Sequence, residues 1–278
     1  MKLARVGIIL KRDSAEPLRI GREMADWFAA RGIEVAIDRI DAGQDLLIVL
    51  GGDGTLLHVA AKACGYGIPV LGINLGGLGF LTEVVVDERW AVLEKILSQE
   101  LPCEERMMLK IRIRRDGLTE PWVYALNDVV ISKGAVDRMV ELAAWVDDEY
   151  LATYRADGLI IASSTGSTAY NLSAGGPIVH PRLEAIVVTP ICPFMLESRP
   201  VLLAGSSLLE ARIAEGSGHS SGVAGKLQVI TDGCRYGELQ PGDTLEIAAA
   251  EKKLRLISSP WKGYFEILRS KLNWGGGR

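Results

Sequence analysis

The chain has 278 residues, 48% hydrophobic, 24% charged and 6% aromatic, with a formal net charge of −4 from 31 basic and 35 acidic side chains. That length supplies one large or two ordinary domains with a real core, and the charge balance lacks the clustered Lys and Arg of a general nucleic-acid binder. Four cysteines far apart, Cys64, Cys103, Cys192 and Cys234, without a C-x-x-C pair, exclude a disulfide-stapled scaffold and argue against a zinc site; they read as small buried hydrophobes in a reducing compartment.

In chain order, residues 5–10 (RVGIIL) predict a buried strand and residues 17–31 a helix with apolar Leu18, Ile20, Met24, Trp27 and Phe28, stopped by Gly32. Strands are expected at 34–38, 45–50 and 69–74, and helices at 55–64 and 88–99. This alternation predicts an α/β domain with a mostly parallel sheet. Beyond Pro102 the rhythm changes to strands at 108–114, 122–132, 139–146, 158–162, 185–189, 207–213, 227–231, 244–248 and 253–257. Asp116-Gly117 and Pro241-Gly242-Asp243 supply turns between them. A β-rich second domain follows, and the expected division is 1–100 and 101–261. Residues 261–271 predict an amphipathic helix, and the segment 262–278 is a candidate to pack back on the first domain. Residues 216–225, with His219, read as a surface loop, and Gly275 to Gly277 as a loose end. The first apolar run is too short for a signal segment, and nothing approaches the roughly 20 apolar residues of a membrane span, so a cytoplasmic location is expected.

Glycine is in excess: 31 residues, against roughly 19 at average usage. Nine of them fall between Gly51 and Gly79, which localises the excess to a backbone-lined site. Gly51, Gly52, Asp53, Gly54 and Thr55 join an apolar strand to a helix, where glycines permit close backbone approach and the helix start offers N–H groups to phosphate. The turn is neither a Walker A loop nor G-x-G-x-x-G. The bland alternative is an ordinary turn in which Asp53 caps the helix. A second cluster, Gly76, Gly77 and Gly79, follows the next strand, with Phe80 placed to pack on a flat ligand. Asn127 and Asp128 interrupt an apolar strand, so they lie on an exposed edge or face a polar ligand. Arg155 and Asp157 precede a strand that runs into Ser163, Ser164, Thr165, Gly166, Ser167, Thr168, Ala169 and Tyr170. Hydroxyls at this density either bond ribose and phosphate oxygens or cap a helix.

Taken together, GGDGT at 51–55, NLGGLGFL at 74–81, ND at 127–128, DGLI…STGSTAY…SAGGP over 157–177, TPICP at 189–193, Arg199-Pro200 and Asp232-Gly233 resemble the ATP- or polyphosphate-dependent NAD kinases. The resemblance runs nearly the whole chain. It implies a two-domain NAD kinase-like fold with the site between the domains, in a homodimer or homotetramer. The implied reaction moves the terminal phosphoryl group of ATP or polyphosphate to the 2′-hydroxyl of the adenosine ribose of NAD, giving NADP. It also implies a divalent ion, Mg²⁺ by its chemistry, held by phosphates and water rather than by a dedicated protein cage.

By motif, Asp53 resembles the residue that accepts the hydroxyl proton, and Gly51, Gly52, Gly54 and Thr55 the loop near the phosphates. Gly54, Phe80, Asn127 and Asp128 fall on the NAD-binding side, with Asn127 and Asp128 at the adenosine. Thr168, Ala169, Tyr170 and Ser173 resemble adenine-pocket residues, and Asp157 with Arg155 the nicotinamide end. Lys133 is a second candidate beside Arg155 for meeting donor charge. Four positions depart from common family forms: Asp128 stands for Glu, Ser164 for Pro, Phe194 for His and Cys234 for Gln. Two other readings stay open on GGDGT alone: a diacylglycerol or sphingosine kinase, and a non-catalytic nucleotide sensor. Neither a nucleic-acid nor a membrane partner is expected.

Overall fold

The computed structural model describes residues 3–12, 15–98, 103–133, 139–195, 197–214 and 226–274. The expected loop at 216–225 with His219, and the end at Gly275 to Gly277, lie outside them. The chain divides into two compact units, Met1–Glu105 with Lys252–Arg278, and Arg106–Glu251.

The first unit runs β1 (Arg5–Leu10), α1 (Ala15–Ala29), β2 (Glu34–Ile37), β3 (Leu46–Leu50), α2 (Asp53–Tyr66), β4 (Val70–Asn74), β5 (Val84–Val85), α3 (Arg89–Leu97) and β6 (Cys103–Arg106). β1 pairs in parallel with β2 and β3, and β3 with β4. β3 and β4 are buried at every position, which is why they read as continuous apolar runs rather than alternating ones. Helix α1 buries Ile20, Met24 and Phe28, one residue per turn. Gly21 abuts the Leu10 side chain, so the helix lies close on the sheet. Leu18 falls off that stripe and is 40% exposed, contrary to its expected place on the apolar face. Gly32 ends the segment at φ +73, a conformation glycine adopts without strain.

The second unit comprises β7 (Leu109–Arg115), β8 (Leu118–Thr119), β9 (Val123–Ala125), β10 (Asp128–Ser132), β11 (Val140–Val146), β12 (Glu149–Ala156), β13 (Gly158–Ser163), α4 (Tyr170–Ser173), β14 (Ala185–Ile191), β15 (Val201–Ala204), β16 (Leu209–Ile213), β17 (Leu227–Thr231), β18 (Cys234–Leu239) and β19 (Thr244–Ala249). They form two sheets, ordered β15-β14-β13-β10-β17-β18 and β12-β11-β16-β19-β7-β8, with β9 beside β7. Inward residues of both, among them Ile111, Ile113, Leu142, Ile131, Ile161, Val229 and Ile247, make one buried cluster. This is a sandwich. The single strand expected at 122–132 is two strands on different sheets: β9 pairs β7, whereas β10 pairs β13 and β17. β12, β15 and β18 lie outside the expected strands: charged and polar residues interrupt β12 and β18, whereas β15 is a short apolar run, VLLA, exposed at alternate positions.

β20 (Leu254–Ile257) pairs in parallel with β4, and α5 (Tyr264–Leu272) buries Ile267 and Leu268. The expected boundary at residue 261 is therefore corrected. The chain returns at Lys252 because its apolar LRLI strand completes the first sheet. Among the described residues no helix is long and apolar enough to cross a membrane.

Candidate active site

In the first unit, strand order β2-β1-β3-β4 reverses direction between β1 and β3. Open α/β sheets receive ligands beyond the carboxyl ends of strands at such a point. The GGDGT turn follows β3 there. Gly51 N–H donates to Ile73 O at 3.0 Å, and a Cβ on Gly51 would come within 2.4 Å of Thr55 Oγ1. Gly52 is the extended N-cap of α2 and bonds no side chain. Added Cβ atoms on Gly52 or Gly54 would meet no heavy atom within 4 Å. Protein packing therefore imposes glycine at 51 but not at 52 and 54, which sit at a helix start whose N–H groups lack intrahelical partners.

Asp53 is the first residue of α2, yet it does not cap its own helix. Its Oδ1 accepts from Leu81 N (3.1 Å), Thr82 N (3.0 Å) and Thr82 Oγ1 (2.8 Å), and its Oδ2 from Phe80 N (2.8 Å). The carboxylate thus ties the first glycine turn to the second. Thr82, wholly buried, also accepts from Asn74 Nδ2 at 2.8 Å, and Asn74 Oδ1 takes Gly76 N–H at 2.8 Å. Gly79 is required here, since a Cβ would stand 2.1 Å from Asp53 Oδ1. Half-buried Phe80 contributes its N–H to this clamp.

In the second unit, Asn127 and Asp128 stand where the chain crosses between sheets, and β10 lies between β13 and β17, so the exposed-edge reading is excluded. Asp128 is 5% exposed, and its carboxyl is pushed up to about 7, first by burial and then by the charge of Asp232. Among the described residues no donor reaches that carboxyl. Asn127 is half-buried; its carbonyl accepts Ser163 N–H at 2.8 Å, and Gly166 lies against its backbone, where a Cβ would be 2.0 Å from Asn127 O.

The Ser/Thr-rich turn spends most of its hydroxyls on the protein itself. Ser163 donates to Leu126 O, Ser164 to Leu183 O, and Ser167 to Ser164 O. All three are buried, and Ser163 Oγ also accepts Gly166 N–H at 3.1 Å at the start of a short helical turn, so the expectation that they bond ribose or phosphate is corrected for these three. Ser164, where proline is common, is explained by its bond to Leu183. Buried Asn171 donates to Ser167 O and Pro177 O and accepts from Thr189 Oγ1 at 2.7 Å; Gly176 packs against it. What remains accessible is half-buried Thr168 and Ala169, with Tyr170 and Ser173 exposed. Tyr170, 46% exposed, presents an aromatic face.

Arg155 and Asp157 are engaged differently. Lys133 Nζ pairs with Asp157 at 2.7 Å, so its charge is shared with that carboxylate. Arg155 lies 4.0 Å from Glu141, and its guanidinium is 4.8 Å from the Phe194 ring centroid. Phe194 is exposed. None of the four cysteines forms a disulfide; Cys64 is buried, but Cys192 and Cys234 are exposed, against the expectation of buried hydrophobes. Sequence reasoning missed Asn74, Thr82, Asn171 and Asp232 as organisers. Asp232 carried a signal as half of an Asp-Gly pair, and Asn74 as the first residue of the NLGGLGFL segment.

The first unit thus carries two glycine turns at a parallel-sheet switch point, and the second a buried carboxyl that no donor among the described residues reaches. A family model described as the ATP-NAD kinase N-terminal domain matches residues 33–101, and one described as the ATP-NAD kinase C-terminal domain matches residues 126–259. The NAD kinase of Syntrophotalea carbinolica is 43% identical over 291 residues, covering 98% of this chain and 99% of that protein. That of Heliobacterium modesticaldum is 43% identical over 286 residues, 97% and 99% of the two. The yeast NADH kinase complexed with NADH superposes with a TM-score of 0.87 at 25% identity, over 100% of this chain and 90% of that one. An Archaeoglobus fulgidus NAD kinase in complex with ATP shares the fold, with a TM-score of 0.77 at 24% identity, over 97% and 98%. The chain belongs to the NAD kinase family, and the lipid-kinase and sensor readings are not favoured.

Proposed function

We propose that the chain transfers the terminal phosphoryl group of ATP to the 2′-hydroxyl of the adenosine ribose of NAD. The observation that carries this reading is the Asp53 carboxylate, half-buried at the start of α2 between the two glycine turns, in a chain of the NAD kinase family. Asp53 Oδ1 is filled by three donors, whereas Oδ2 has one and keeps a lone pair to take the ribose proton. Gly52 and Gly54 offer backbone N–H groups to the phosphates, while Gly51 and Thr55, whose N–H groups bond Ile73 O and Gly52 O, hold the turn in shape. Asn127 and Asp128 hold the adenosine, Thr168, Ala169, Tyr170 and Ser173 the adenine, and Asp157 with Arg155 the nicotinamide end, while Phe80 packs against the dinucleotide. Phosphoryl transfer needs chiefly positioning and neutralisation of charge, which such a set supplies.

The described residues contain no group of three or more His, Cys, Asp or Glu suited to a metal ion. The divalent ion in this reading is part of the substrate, arriving as MgATP, and shields the phosphate charge. The resemblance further supports action in the cytoplasm as a homodimer or homotetramer, which light scattering on the purified chain measures.

The test is a matrix of ATP or polyphosphate against NAD or NADH, with and without EDTA, read by an NADP-specific dehydrogenase after conversion to the oxidised form. NADP from ATP and NAD that EDTA abolishes is expected. Phosphorylation of a lipid alcohol with none of NAD overturns the reading, as does NAD binding without turnover under either donor.

A further inference from the structure

The crossing at residues 126–128 leaves one sheet and joins the other, so the strand ladders do not supply all its N–H groups with partners. Asp232 supplies them. Its Oδ2 accepts Leu126 N–H at 2.7 Å, and its Oδ1 accepts Asn127 N–H at 2.8 Å and Asp128 N–H at 3.2 Å. In return Asp232 N–H donates to Asp128 O at 3.1 Å.

Asp232 and Gly233 form the turn between β17 and β18, with φ of 47° and 78°. Two positive φ values in a two-residue hairpin suit Asn-Gly at least as well as Asp-Gly. The turn alone therefore gives no reason for a carboxylate. Electrostatics gives a reason against one, because its charge faces the buried carboxyl of Asp128. Three N–H donors on two oxygens do require it: an amide would turn its NH₂ toward at least one of them.

We infer that Asp232 is a positioning residue for dinucleotide binding, its carboxylate holding the crossing so that Asn127 and Asp128 present to the adenosine half of NAD. This rests on the adenosine role given above to Asn127 and Asp128. Gly166 and Ser163 N–H brace the same backbone from the other side, so the two side chains stand on a segment fixed between two turns.

The test is steady-state kinetics on the purified full-length Asp232→Asn, Asp232→Glu, Gly233→Ala and Asn127→Ala variants, with a thermal melt of each. Asp232→Asn keeps a favourable turn residue and is expected to raise KM for NAD on the order of tenfold, with KM for ATP unchanged and kcat within about twofold. Asp232→Glu, which keeps the charge, is expected to recover part of that loss. Gly233→Ala strains the turn but keeps the carboxylate, so Tm falls with little change in KM for NAD. The inference is overturned if Asp232→Asn leaves KM for NAD unchanged while Asn127→Ala raises it. It is overturned equally if Asp232→Asn and Gly233→Ala raise it alike. An unchanged KM in Asn127→Ala overturns the adenosine reading itself, and this inference with it. Should Asp232→Asn not fold, the comparison of Asp232→Glu with Gly233→Ala decides by the same KM criterion.

Discussion

Asp53 serves as clamp and as proposed base at once, and Thr82 separates the two roles. Thr82→Val keeps the N–H that bonds Asp53 but removes the hydroxyl that links Asp53 to Asn74. Leaving the buried Asn74 amide short of a partner costs about 1–3 kcal/mol, so Tm is expected to fall while kcat stays within about tenfold of wild type. A folded Thr82→Val enzyme with kcat lost as completely as in a base deletion assigns Asp53 to scaffolding alone.

Asp128 gives a second test. Its pKa rises from 3.8 to about 7 on folding, so between those values the folded chain binds more protons than the unfolded one. Stability from this group is then present below about pH 4 and is lost as pH rises through 7. The cost above pH 7 is on the order of a few kcal/mol. Asp128→Asn is expected to raise Tm more at pH 8 than at pH 5 while weakening NAD. An equal gain at both pH values contradicts this. A carboxyl kept at such a cost, with no donor among the described residues, is what a ligand-facing group requires.

At the scale of elements, the glycines of the two turns divide by what they avoid. Gly79 avoids Asp53, whereas a Cβ on Gly54 would touch nothing in the protein. Gly54 lies in the first turn of α2 without a positive φ, so Gly54→Ala is expected to hold or raise Tm, alanine being favoured in helices by about 1 kcal/mol. KM for MgATP is expected to rise at least about tenfold if the backbone approaches phosphate. Unchanged KM removes that role. Much of this was legible in sequence: β1, β3 and β4 because burial on both faces makes them unbroken apolar runs, and the GGDGT turn because glycines gather there. Asp53's true partners were not, because Phe80, Leu81 and Thr82 offer backbone N–H groups that any residue offers, 27 to 29 positions away. The crossing at Leu126 and Asn127 was hidden for a related reason. Residues 123–132 keep strand-like composition on both sides of a break that only pairing reveals, and Asp232 acts across 104 to 106 residues. The hydroxyls of Ser163, Ser164 and Ser167 misled because a polar side chain that satisfies its own buried backbone reads in sequence like one that meets a ligand.

At the scale of the whole molecule, the first unit is discontinuous. β20 takes a place between β4 and β6, and α5 adds Ile267 and Leu268 to the buried set. A chain ending after Glu251 therefore lacks an interior strand of the first sheet and is expected not to give a soluble protein with a cooperative melt, whereas residues 106–251, continuous in sequence with their own core, are expected to fold alone. A truncated chain that melts at the wild-type temperature contradicts this. The central claim is that the first unit's glycine-turn aspartate drives phosphorylation of NAD at the ribose 2′-hydroxyl. The most direct measurement is the initial rate of NADP formation from saturating NAD and MgATP, wild type against Asp53→Asn, with NAD binding and melting checked for both. NADP formation by the wild type and a rate at least about 100-fold lower in a folded, NAD-binding Asp53→Asn enzyme is the expected result. No NADP from the wild type, or equal rates from the two, contradicts it.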